Sequence, residues 1–99
     1  MNQITYDERL DTYTHAMITY GIRNQMVVAV EELSECQKEI CKFLRGEGDL
    51  EHLAEEVADA TIMLEQVRLM FNINDMVCSK MDEKIIRLNK RLEQAVEGA

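Results

Sequence analysis

The chain predicts an all-α fold, a four-helix antiparallel bundle completed by association with copies of itself. Three observations lead there. Among 99 residues there is no proline and only four glycines, so helices can run long and each breaker is informative. Apolar residues recur at helical steps of three and four, and no stretch alternates as a strand does. The breakers fall at Gly21, at Arg45-Gly46-Glu47-Gly48-Asp49 and at Asn72-Ile73-Asn74-Asp75, and short connections between long helices favour antiparallel neighbours.

The first predicted helix, about Tyr6 to Tyr20, carries Leu10, Tyr13, Met17 and Tyr20 on one face. The second runs from about Ile22 to Leu44, with Ala29, Leu33, Cys36, Ile40 and Phe43 as its apolar arc. The third begins at Asp49, a suitable N-cap, and ends near Phe71 with Asn72 as its stop; its arc is Leu53, Val57, Ala60, Leu64, Val67 and Phe71. The fourth, about Asp75 to Val96, has the stripe Val77, Met81, Ile85, Leu88, Leu92 and Ala95.

A chain of this length is a single domain, residues 1 to 99, and its 46% apolar content suits a folded protein. So small a core is marginal alone, and seven methionines with several apolar faces suggest that copies pair as a homodimer or homotetramer. A formal charge of -8 would repel nucleic acid and anionic lipid. No apolar run approaches the ~20 residues that span a bilayer. Three cysteines, Cys36, Cys41 and Cys78, with no charged segment followed by an apolar run at the start, read as reduced thiols in the cytoplasm. They lack the paired spacing of a zinc site.

At ~100° per residue, Glu32, Glu35 and Glu39 line one edge of the second helix's arc. His52, Glu56 and Asp59 line the corresponding edge of the third. On the fourth helix that edge is basic, with Lys80, Lys84, Arg87 and Arg91. Level residues of an antiparallel hairpin have a constant index sum, which pairs Glu32 with Asp59 and Glu35 with Glu56 in a near-rectangle of carboxylates. Around the next turn Arg91 comes level with Glu56, and Arg87 with Asp59. Four acids and a row of bases in one cleft offer hard oxygens to a divalent cation and donors to phosphate oxygens. A surface seam of paired charges is the bland alternative. A di-iron bundle is disfavoured, since no helix carries Glu-x-x-His.

The stretch VEELSECQKEICKFLRGEGDLEHLAEEVADATIML, Val30 to Leu64, resembles the MazG-like branch of the all-α nucleoside triphosphate pyrophosphohydrolases, whose hallmark is Glu-x-x-Glu and, after a short hairpin, Glu-x-x-Asp. Here these are Glu32 and Glu35, then Glu56 and Asp59, and YGIRNQ and KIIRLNKR resemble the flanking parts of small phage-type and bacterial members. The resemblance implies Mg²⁺-dependent hydrolysis of a (d)NTP to (d)NMP and pyrophosphate, with Mn²⁺ as a substitute ion, in a helical homo-oligomer.

On that reading Glu32, Glu35, Glu56 and Asp59 hold the metal, and a carboxylate such as Glu35 or Glu56 serves the attacking water. Lys84, Arg87 and Arg91 hold the departing pyrophosphate. The nucleoside lies against the first helix and the start of the second, where Gln25 is the candidate contact, or against a partner subunit. The alternative is a non-catalytic helical dimerisation module whose acid and base rows pair with each other.

Overall fold

A computed structural model describes residues 3–98. Four helices follow one another, α1 Tyr6–Tyr20, α2 Ile22–Leu44, α3 Leu50–Met70 and α4 Asn74–Glu97, and among the described residues there is no strand. This is the expected all-α, four-helix architecture. No helix is long and apolar enough to cross a membrane.

Each boundary has a local cause. Thr5 and Glu8 form a reciprocal capping box at the start of α1, with both hydrogen bonds at 3.1 Å. The Asp49 carboxylate caps α3 by accepting from the Glu51 N–H at 3.0 Å. Helix α2 ends in a Schellman turn: Gly46 takes φ 75°, and the Glu47 N–H reaches the Lys42 carbonyl at 2.8 Å. The end of α3 repeats that geometry with Asn72 at φ 51° and the Ile73 N–H on the Arg68 carbonyl at 3.0 Å. Asparagine tolerates the left-handed region better than other side chains. The sequence expectation for Asn72 is therefore met by a defined hydrogen-bond pattern.

Helices α2 and α3 form the antiparallel hairpin on which the rest is built. Its layers pair Gln25 with Gln66, Glu32 with Asp59 and Glu39 with His52, three couples with one common index sum. Small Ala29 and Ala60 are buried between them and put little bulk in the seam. The seam is rotated from the arc expected for α2. Leu33 and Ile40 lie outside it, 40% and 50% exposed, while Gln25 and Glu39 are buried. The facing positions of α2 step through Gln25, Ala29, Glu32, Cys36, Glu39 and Phe43, so the line that meets α3 includes residues expected at its edge.

Helix α1 is held to α3 through Glu65. That carboxylate accepts from the Tyr13 hydroxyl at 3.1 Å and pairs with Arg9 at 3.2 Å. Burial, and then the nearby Glu65 charge, push the Tyr13 phenol up to about 12.

Helix α4 is different. It meets α3 near their connection, where Arg68 reaches Asn74 and the Met81 sulfur, and it touches neither α1 nor α2. From Cys78 to Gly98 every residue is exposed. The radius of gyration is 17.1 Å, against about 13 Å for a compact chain of this length.

Because Asn72 must hold φ 51°, Asn72→Gly is expected to preserve or raise stability, whereas Asn72→Val should lower it by about 1–3 kcal/mol. Urea unfolding midpoints of the two variants check this, and equal midpoints would refute it.

Candidate metal centre in the hairpin seam

The α2–α3 hairpin stacks three polar layers at a seven-residue period: Gln25 with Gln66, Glu32 with Glu56 and Asp59, and Glu39 with His52. Two of them are satisfied within the protein. Gln25 donates from its side-chain amide to the Gln66 Oε1 at 2.8 Å, with both residues buried. Glu39, only 5% exposed, is compensated by the Lys42 Nζ at 3.2 Å, with the His52 Nδ1 3.3 Å away. Charge-assisted partners of this kind are what a buried carboxylate requires.

The middle layer lacks such partners. Oxygens of Glu32, Glu56 and Asp59 lie within 4.8 Å of one another, with Glu32 and Glu56 half-buried and Asp59 exposed. None of the three forms an ion pair among the described residues. Burial first, then the charges of Asp59 and Glu56, a hydrogen bond with Asp59 and the charge of Glu35, raise the Glu32 carboxyl above its ordinary range. Like charges held this close disfavour ionisation of one member unless a cation compensates them.

The donor set fits a hard divalent cation, since it consists of carboxylate oxygens from two facing helices. Glu32 and Asp59 meet across the seam at the height the hairpin predicts, and Glu56 joins them from one turn earlier on α3. Glu35 does not complete the rectangle. It turns towards solvent and pairs with Lys38 at 3.5 Å, although its charge still reaches Glu32. The physical reason is the rotation of α2, which brings Glu32 onto the facing line and carries Glu35 outward.

The basic row is also displaced from its expected place. Lys84, Arg87 and Arg91 are exposed on α4 and pair with none of the four acids, because α4 leaves the hairpin instead of lying along it. Lys80, on the same row, pairs with Glu83 at 3.6 Å. Gln25 lies in the seam with its side chain bonded to Gln66, so it does not front an open nucleoside site.

Other bases lie beside Glu35 and Glu39 on α2. Lys38, Lys42 and Arg45 line one depression of about 650 Å³ together with Glu35 and Glu39. Their spacing along α2, four residues and then three, is the signal that marks a common helical face. No protein-family model, no curated protein and no solved structure matches this chain.

The strain in the middle layer has a measurable sign. A carboxyl whose pKa is raised by folding favours the folded state when protonated, and that contribution is lost as the pH rises through its folded value. In chelator, Glu32→Gln should therefore raise Tm at neutral pH, and the gain should shrink as the pH falls through the carboxylate range. Melting curves across that range check it; a variant less stable than the parent at neutral pH would contradict it.

Proposed function

We propose that this chain is a Mg²⁺-dependent nucleoside triphosphate pyrophosphohydrolase of MazG-like type that works as a homo-oligomer. The observation that carries the reading is the uncompensated middle layer. Three carboxylates converge in a seam whose other two polar layers are internally satisfied. Clustering of unpaired acids in a helical scaffold is a destabilising feature, and a divalent cation is the partner that makes it useful.

Glu32, Glu56 and Asp59 would hold the cation. When bound, Mg²⁺ supplies Lewis-acid polarisation of phosphate oxygens and a more acidic water. Glu35, beside the cluster and open to solvent, would take a proton from the attacking water. Lys38, Lys42 and Arg45 share its depression and would bear the negative charge of the phosphates that leave as pyrophosphate. Lys84, Arg87 and Arg91 of the same chain stand on α4, away from these acids. Nucleoside contacts fit the groove of about 640 Å³ between α1 and α3, which includes Tyr13, Ala16, Ala58 and Ile62. The non-catalytic alternative requires the acid row and the α4 bases to pair, and within one chain they do not.

A screen of canonical and modified triphosphates with Mg²⁺ should find at least one that releases pyrophosphate. Glu56→Gln and Asp59→Asn are each expected to lower that rate by about 10²-fold or more, with helix content retained by circular dichroism. Turnover that survives both Glu35→Gln and Glu56→Gln would exclude the proposed centre. No Mg²⁺-dependent turnover, and no rise in Tm with Mg²⁺ plus triphosphate, would favour the non-catalytic module.

A further inference from the structure

The face of the hairpin next to the polar seam carries two apolar rows that nothing among the described residues covers. On α2 they are Met26, Leu33 and Ile40, exposed by 42, 40 and 50%. On α3 they are Leu50, Val57, Leu64 and Phe71, exposed by 74, 43, 46 and 51%. Each row repeats every seven residues. Both lie on the same rotational side of their helix relative to the seam, so in an antiparallel pair they share one face.

Helix α4 presents a third uncovered row with that period. Met81 and Leu88 are separated by seven residues, as are Ile85 and Leu92, and all four are about half exposed. At 1.5 Å per residue, the repeat is roughly 10 Å on all three helices. Knobs of one can therefore enter the holes of the other along several successive turns.

The amount of uncovered surface points the same way. The chain exposes 8096 Å², whereas a compact monomer of its mass would expose about 5,800 Å². The excess, about 2,300 Å², is on the scale of an obligate homodimer interface. A scattered set of exposed apolar residues would need no explanation, but contiguous rows of this size mark a contact surface.

We infer that the occupant is a second copy of this chain, with α4 of each copy seated across the α2–α3 apolar face of the other. A contact between the two α4 helices alone would leave the hairpin rows bare. Reciprocal exchange covers both kinds of row and forms a closed, two-fold arrangement. It also accounts for the direction of α4, which contacts its own hairpin only beside the connection. The assignment specifies the self-association included in the proposed function, yet it stands independently of catalysis.

The test uses the full chain with Cys36, Cys41 and Cys78 replaced by serine, in two populations. One carries Leu64→Cys; the other carries a cysteine at Met81, Leu88 or Ala95, so that the series spans the register of α4. Light scattering of the serine background and of the parent should give twice the single-chain mass or a multiple of it. Mixed and oxidised populations should yield a disulfide between a hairpin cysteine of one chain and an α4 cysteine of another. Leu64→Glu and Leu88→Glu should each shift the mass to a single chain while far-ultraviolet circular dichroism stays helical.

A monomeric parent would overturn the proposal. So would an oligomer that forms only α4-to-α4 disulfides. An oligomer with the expected disulfides but no triphosphate turnover would uphold this surface while removing the catalytic reading.

Discussion

The structure depends on a polar seam at the closest contact of α2 and α3. Helices that face each other usually meet through aliphatic side chains, because removing them from water is the main favourable term in folding. Here the facing line places Gln25, Glu32 and Glu39 opposite Gln66, Asp59 and His52, one layer every seven residues. Since a helix has one circumference, giving that line to polar groups rotates the large aliphatic residues outward. Leu33, Ile40, Val57 and Leu64 then reach solvent in the single chain. The residues that form the buried apolar core are few: Tyr13, Ala29, Ala60 and Met63.

The layers differ in charge compensation, and this gives the hairpin its chemical polarity. An amide pair needs only a partner of the same kind, and Gln25 and Gln66 supply it. A buried carboxylate needs a cationic donor, which Glu39 finds in Lys42, with the His52 imidazole beside it. Between them, Glu32, Glu56 and Asp59 have only one another, so the field at the centre of the seam is strongly negative. Placing such a cluster on two rigid helices fixes its oxygens against relaxation, which is what preorganised coordination requires.

Two surfaces follow from the one constraint. One flank carries Glu35 and the bases of α2, and the other carries aliphatic rows that α4 of the same chain does not cover. Helix α1 leaves that division intact because it docks elsewhere, through the Arg9 and Tyr13 contacts with Glu65 on α3. Charged and aliphatic groups thus occupy different sides of a thin scaffold.

The sequence by itself determined the four helices, their ends and the hairpin. Breakers, caps and helical period act locally, so Asp49, Gly46 and Asn72 do what their residue types require wherever the helices go. The index sum that levels Glu32 with Asp59 is equally legible, because a short turn fixes antiparallel register. What only the tertiary structure decided is rotation and approach. The rotation of α2 about its axis leaves Glu32 inside the cluster and Glu35 outside it, and puts Glu39 rather than Leu33 in the seam. Periodicity defines an arc but not which edge of it meets a neighbour, since packing of small Ala29 and Ala60 and pairing of the polar layers settle that choice. The course of α4 was hidden for the same reason: an amphipathic stripe states that a helix must be covered, and says nothing of whether its own chain does so.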